Sequence, residues 1–378
     1  MFLTSLLCYS FTQVDLNLTL SRIDIWFGIQ DFFQHIGYYN RPFSTGWYLI
    51  TIAGLFILYG VILYATRRNS LSEKHVWHII TLTVVMLFLS YPAFSYDLFN
   101  YMFDARIVTE HGANPYLHKA LDYPDDPWIT FMRWTHRTYP YGPVWLFLTV
   151  PLSYGGMKIF LMTMYLFKLL MVGGYVGSAL ILSKILRKVT PEKATFGLAF
   201  FALNPLVIIE SLVSAHHDIV MMFFALVAVY LLLERKFFTA FLAIGASIGI
   251  KFATVLMTPA FVIAFIQVLW IRRIQRNLLF MLILAGMVIA VIIASLRTQF
   301  QPWYLLFVLP FTPVFIVHPF VTLPAVLISF TALIMYVPFL YTGNWDPPIP
   351  VILNGMVLGG IILAIFTSAI YSIIHKKL

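Results

Sequence analysis

Charge is scarce in this chain. Only 10% of its 378 residues are Asp, Glu, Lys or Arg, while 61% are hydrophobic, and the mean hydropathy of +0.88 lies outside the range of soluble domains. There is a single cysteine, Cys8, so no intrachain disulfide can form and the redox compartment stays open. Strands that alternate apolar and polar residues, the mark of a membrane barrel, are missing, so any bilayer crossing must be helical. No tandem repeat is present, nor a pair of interrupted spans at matching places in two halves, which weighs against a transporter built on inverted repeats. The N-terminus lacks a basic stretch ahead of its apolar residues, so no cleaved signal peptide is expected. The length suits one transmembrane domain, residues 1–378, with no room for a soluble domain beside it.

What the chain has in abundance is apolar runs of about 20 residues, the length a helix needs to cross a bilayer. Expected spans are Trp47–Thr66, Val76–Ala93, Met157–Leu182, Thr195–Val213, Ile219–Leu233, a pair within Phe237–Trp270, Asn277–Leu296, Tyr304–Val317, Val321–Tyr341 and Val351–Ile374. Residues 1–46 read as interfacial and 144–156 as a partial or re-entrant helix, giving an all-α polytopic protein with about eleven transmembrane helices. The net charge of +9 raises nucleic acid as a partner, but its distribution answers otherwise: 14 of the 24 Lys and Arg gather in short loops, at Arg67, Arg68, Lys74, at Lys184, Arg187, Lys188, Lys193, at Arg235, Lys236, at Arg272, Arg273, Arg276, and at Lys376, Lys377. That is the positive-inside pattern. With these loops cytoplasmic, 12 of the 15 carboxylates (all but Glu73, Glu192 and Glu234) fall on the opposite side.

The longest polar interval, Phe94–Pro143, lies on that non-cytoplasmic side and holds five Asp, one Glu, three Arg and three His. Within it Asp97, Asn100, Tyr101 and Asp104 recur with helical spacing, while Leu98, Phe99, Met102 and Phe103 occupy the other face. Such a helix can be an ordinary interfacial one, or it can hold two carboxylates toward a cavity. A carboxylate is the usual base when a sugar hydroxyl must lose a proton, which makes Asp97 and Asp104 the catalytic candidates. Nucleotide sugars are cytoplasmic, so a transferase on this face needs a lipid-carried donor such as a polyprenyl-phosphate sugar, and its phosphate needs cations. Arg106, Arg133, Arg137, Lys251 and Arg297 are placed for that; Arg106, Lys251 and Arg297 are preferred. Lys251 interrupts an apolar run, where an ionisable group points to function unless it snorkels. Arg297, Gln301 and Trp303 share a short external loop that can stack a sugar beside a phosphate or serve as an aromatic-belt anchor. Ser214-Ala215-His216-His217-Asp218 is a polar break between apolar runs. Its neighbouring imidazoles diverge by about 100° on a helix, so His216, His217 and Asp218 suit sugar or acceptor contacts better than a shared metal. The bland alternative there is a solvated turn.

These residues also carry a resemblance. Tyr96-Asp97, Asp104-Ala105-Arg106, Gly112-Ala113-Asn114-Pro115-Tyr116 and Tyr141-Gly142-Pro143 resemble the first external loop of the GT-C glycosyltransferases, in particular the first mannosyltransferase of GPI-anchor synthesis and bacterial polyprenol-phosphomannose-dependent mannosyltransferases. The likeness implies an inverting mannosyl- or hexosyltransferase with a polyprenyl-phosphate donor, a glycan or lipid acceptor, and Asp97 as base. The expected sugar or acceptor contacts are Tyr101 and Tyr141 of this loop, His216, His217 and Asp218 of the polar break, and Gln301 and Trp303 of the short external loop. A paired Asp-x-Asp of the GPI enzyme is reduced here to Asp97 alone, and Leu117–Thr138 is a longer insertion. The external carboxylates can hold a divalent cation, though no spacing demands one. The membrane is the plasma membrane in a prokaryote or the endoplasmic reticulum in a eukaryote. The rival reading is a transporter or flippase of a lipid-linked sugar, in which Lys168 and Lys251 would exchange faces.

Overall fold

The computed structural model describes residues 1–316 and 319–375. Among these the only extended pairing is an isolated bridge between Lys119 and Thr138. Everything else regular is helix: α1 (Phe2–Ser10), α2 (Asp24–Gln34), α3 (Arg41–Arg67), α4 (Glu73–Phe88), α5 (Asp97–Thr109), α6 (Pro143–Gly155), α7 (Phe160–Val189) and α8 (Ala194–Ala202). The second half adds α9 (Pro205–Ile208) with the π-turn Ile209–Val213, then α10 (Asp218–Leu233), α11 (Phe237–Ile250), α12 (Thr258–Ile271), α13 (Arg276–Thr298), α14 (Pro319–Ile334), α15 (Val337–Thr342) and α16 (Ile349–His375).

The chain is an all-α polytopic membrane protein. Among the described residues six helical segments are long and apolar enough to cross a bilayer: Arg41–Arg67, Phe160–Val189, Phe252–Ile271, Arg276–Thr298, Phe320–Thr342 and Ile349–Tyr371. A seventh arises if Pro191–Ala202 and Pro205–Val213, bent by 54° at Asn204, count as one span. The eleven crossings expected from hydropathy thus include several shorter helices. One expected span needs correction: Tyr304–Val317 forms two 3₁₀ turns, Pro302–Phe307 and Thr312–Phe315. Pro302, Pro310 and Pro313 each remove an amide donor there and obstruct the preceding turn, which a continuous α-helix does not tolerate. The N-terminal stretch is also more embedded than an interfacial segment. In α1, Leu6 and Tyr9 are fully buried, and Ser5 accepts from the Trp47 indole at 2.8 Å. α2 instead presents Ile25, Phe27, Ile29 and Phe32 outward, as a helix lying in the membrane interface does.

The basic loops converge on one end of the bundle. Arg187 pairs with Glu73 at 2.8 Å and Lys188 with Glu234; Arg276 donates to the Lys188 carbonyl and Arg235 to that of Arg272, each at 2.8 Å. Exposed pairs of this kind stabilise little individually, but they put the Arg67–Lys74, Lys184–Lys193, Arg235–Lys236 and Arg272–Arg276 regions on a common face. Lys376 and Lys377 lie outside the described residues. At the other end, Lys168 of α7 is fully buried and donates to the carbonyls of Leu87, at 3.1 Å, and Ser90, and to the Ser90 hydroxyl at 2.9 Å. It closes the C-terminus of α4, where the unpaired carbonyls of a helix end favour a cation.

Helix length sets how deep the polar groups lie. α10 and α11 are 16 and 14 residues long and are joined at the basic face by Glu234–Lys236. At 1.5 Å per residue they rise about 24 and 21 Å, short of a hydrocarbon core of about 30 Å. Asp218, which starts α10, and Lys251, which succeeds α11, therefore lie at the ends of two short helices away from the basic loops. The polar loop reaches the end of α11 through Gly142. The Gly142 amide donates to the Ile250 carbonyl at 3.1 Å, and a methyl group at Gly142 would overlap the Gly249 carbonyl oxygen. Pro143 then opens α6 at a position where its missing N–H costs nothing.

Both of these internal contacts can be tested through stability. Gly142→Ala must push the loop away from α11, and it should destabilise the purified protein by about 1–3 kcal/mol, seen as a lower Tm with reduced turnover. Lys168→Met would strand buried carbonyls at the end of α4 at a similar cost of about 1–3 kcal/mol.

Candidate active site

α5 begins the site. Ser95 accepts from the Asp97 amide at 3.1 Å, and Asp97 occupies the first turn, where the helix dipole favours an anion. The apolar residues of the helix are buried in the bundle, while the Asp97 side chain stays 14% exposed. The Trp134 indole donates to one carboxylate oxygen at 3.2 Å. The other oxygen lies 3.4 Å from the Tyr101 hydroxyl and 3.5 Å from His216 Nδ1.

The polar break after the π-turn supplies the floor. Ser214 and His216 donate their amides back to the carbonyls of Ile209, at 2.8 Å, and Glu210, at 2.9 Å. Ala215 between them is left-handed, with φ of 59°. This closes the helix end as a glycine usually does, at the cost of strain in a residue that carries a Cβ. The reversal turns His216 back over Glu210: its Nε2 lies 3.4 Å from Glu210 Oε2, and its ring stacks on Trp303 with centroids 4.0 Å apart and planes 19° from parallel. The second Glu210 oxygen accepts from the Tyr336 hydroxyl at 3.0 Å. Glu210 and His216 are fully buried.

A second chain of contacts leaves Asp97 through Tyr101. The Tyr101 hydroxyl lies 2.8 Å from His217 Nδ1, and the imidazole is enclosed by the rings of Tyr101, Tyr141 and Trp145 at 4.8, 4.5 and 5.2 Å. The same nitrogen is 3.5 Å from Asp218, whose other oxygen accepts from Lys251 Nζ at 2.7 Å. Lys251 also sits over Tyr304 and Phe307, 5.5 and 5.4 Å from their centroids. Among the described residues it is the only direct Lys or Arg partner of these acids, and its side chain is 24% exposed.

The two acids of α5 differ in charge state. Burial pushes the Asp97 carboxyl up, but the His216 ring beside it, then Lys251 and Arg137, more than reverse this and hold it down at about 2. Asp104 is also buried, and burial raises its carboxyl to about 7, with Arg137 opposing and Asp97 reinforcing the rise. Among the described residues Asp104 makes no side-chain hydrogen bond, and both amide atoms of Asn100, one turn before it, are buried without a partner. Burial likewise keeps His217 neutral, at about 3, despite the Asp218 carboxylate.

Of the candidates from sequence, Asp97, Tyr101, Tyr141, His216, His217, Asp218, Lys251 and Trp303 meet in this cluster, with Asp104 further along the same helix. Arg106 faces elsewhere: it donates to Asp126 at 2.7 Å and lies 4.3 Å over Trp128, bracing the loop. Arg297 is exposed in the last turn of α13, and the Gln301 carbonyl accepts from the Tyr304 amide at 3.1 Å; neither touches the acids. Trp134, Trp145 and Tyr336 are added by the structure, and Glu210, shortly before the polar break, joins them. Trp134 lies in the insertion and Tyr336 within the span Phe320–Thr342, with no local pattern to mark either. Among the described residues no group of three or more His, Cys, Asp or Glu is arranged to hold a metal ion.

A family model described as an alpha-(1->6)-mannopyranosyltransferase N-terminal domain, MptA_B, matches residues 30–267, a stretch that includes Asp97, Glu210, the His216–Asp218 turn and Lys251. No curated protein and no solved structure gives a significant match. The chain belongs to the MptA_B family of alpha-(1->6)-mannopyranosyltransferases and is a multi-pass membrane glycosyltransferase.

Proposed function

We propose that the protein moves a mannosyl unit from a polyprenyl-phosphate donor to a hydroxyl of a glycan or lipid acceptor on the non-cytoplasmic face, with inversion and with Asp97 as the base. The observation that carries this reading is the chain of contacts by which a partly exposed carboxylate, Asp97, and a partly exposed ammonium, Lys251, are joined through Tyr101, His217 and Asp218. Residues 1–378 then act as one transmembrane domain, with Phe94–Pro143 as its catalytic loop.

The chemistry is dictated by the charges. The acceptor oxygen gives its proton to Asp97 and bonds to the anomeric carbon as the carbon–oxygen bond to phosphate breaks. The electron pair leaves with the lipid phosphate. Attack opposite the leaving group inverts the anomeric centre and needs no carboxylate nucleophile. A phosphate leaves readily, so no second carboxyl is required as acid, and the need is for a cation beside the departing charge. Lys251 meets it by exchanging part of its contact with Asp218 for the phosphate. Trp303, held flat by His216, and Tyr141 offer faces for sugar rings. The short helices α10 and α11 keep the cluster within reach of a donor whose tail stays in the bilayer.

Asp97→Asn should lower transfer from a radiolabelled lipid-phosphate mannose by about 10²–10⁴-fold while the variant still binds donor; unchanged turnover would remove Asp97 from the role. The two acids separate by pH, because a base works only when deprotonated. Held at about 2, Asp97 stays ready at every working pH, and kcat/KM should remain level as the medium is acidified from neutrality. A fall centred near the Asp104 value of about 7 would transfer the role to Asp104. For Lys251 the informative variant is Lys251→Met with Asp218→Asn, which leaves no buried carboxylate without its cation. Donor affinity should drop about 10–100-fold, as the loss of a charged hydrogen bond of about 1.5–3 kcal/mol implies.

A further inference from the structure

A base that has taken the acceptor's proton must release it before the next turnover. The arrangement behind Asp97 offers one route. His216 stands between two carboxylates, with Nδ1 3.5 Å from Asp97 and Nε2 3.4 Å from Glu210. Glu210 is fully buried, and among the described residues it has no Lys or Arg within ion-pair distance; the Tyr336 hydroxyl donates to it at 3.0 Å and the Ser214 hydroxyl lies beside it. Asp218, a further acid of the cluster, is held by Lys251. A buried carboxylate without a cation is costly, and that cost falls when it takes up a proton. The Glu210 oxygen facing His216 and both imidazole nitrogens have no other hydrogen-bond partner among the described residues, so a shortening of a few tenths of an ångström on each side of the ring would join the three groups. The placement is built in by the π-turn and the strained left-handed Ala215, features that cluster at functional sites.

We propose that Glu210 is the terminal proton acceptor of the transfer reaction, acting through His216. This rests on Asp97 being the base. The acceptor hydroxyl proton passes to Asp97 and then to His216 Nδ1, while the proton on Nε2 moves to Glu210 Oε2. One O–H bond breaks at the acceptor, one forms at Glu210, and the imidazole ends neutral with its proton on the other nitrogen. Glu210 is thus a positioning residue. It reaches neither sugar nor phosphate, and Trp303 keeps the imidazole plane aligned between the two acids.

The test compares wild type, Glu210→Gln, Glu210→Asp and Asp97→Asn, purified in detergent or nanodiscs, with lipid-phosphate mannose as donor. Glu210→Gln preserves the shape and the Tyr336 contact but cannot take the proton. Its kcat should fall about 10–100-fold with donor and acceptor KM and Tm unchanged, and Glu210→Asp should restore part of the rate. The dependence of kcat on the D2O fraction should be bowed in wild type, where two protons move together, and linear in Glu210→Gln. A fully active Glu210→Gln alongside an inactive Asp97→Asn would overturn the relay and leave the base in place. An active Asp97→Asn would remove the base, and the relay with it. A Glu210→Gln protein that is slow and also unstable, with the bowed D2O dependence retained, would make Glu210 purely structural and overturn the proposal as well.

Discussion

Burying like charges close together is the constraint this structure is arranged around. Asp97, Glu210 and Asp218 sit within a single cluster, the last two fully buried, and each buried ion costs several kcal/mol unless paired. Among the described residues only one permanent cation, Lys251, touches them directly. The remainder of the compensation comes from two imidazoles, the hydroxyls of Tyr101 and Tyr336 and the Trp134 indole. A set with so little permanent positive charge relies on hydrogen bonds and ring contacts to hold its carboxylates in place.

The scaffold serves this by being broken where the charges are. α10 and α11 stop short of the membrane surface, the span through Asn204 bends, and the residues before α10 reverse through a left-handed alanine. Each interruption frees backbone groups that water cannot reach at such depth, and each is met internally. Asn204 caps α9 by accepting from the Leu206 amide at 2.9 Å, Lys168 closes α4, and Gly142 delivers its amide to the end of α11. Irregular backbone at membrane depth is tolerated where it is buried in protein or lines a cavity, and here it is buried.

Much of this was legible in the amino-acid order. Hydropathy gives the polytopic class, and clustered Lys and Arg mark the face on which Glu73 and Glu234 are now seen paired. The 97–101–104 spacing marks the polar side of α5, and the His-His-Asp turn and Lys251 stand out because polar residues are rare in apolar runs. What escaped is of another kind. Tyr336 meets Glu210 across 126 positions, a contact no local window contains. Arg106 lies on the motif helix but faces Asp126, because one turn of a helix separates a cavity-lining position from a bracing one. Prolines at 302, 310 and 313 defeat a span that average hydropathy favours, since hydropathy scores side chains and not amide donors.

The same electrostatics separates two aspartates seven residues apart. Both are on α5 and both are buried enough for desolvation to push their carboxyls up. Asp97 has His216 at its side and Lys251 beyond, so opposite charge overrides burial; Asp104 has Arg137 as its main counterweight and Asp97 as an adverse neighbour, so burial prevails. An ionised acid and a protonated one on a single helix face divide the work. The first suits the base proposed above, and the second, with its carboxyl raised to about 7, adds less negative charge to a site with few cations. The two carboxyls therefore respond to one helix in opposite directions, and the difference lies in the His216 ring that Asp97 has beside it and Asp104 lacks.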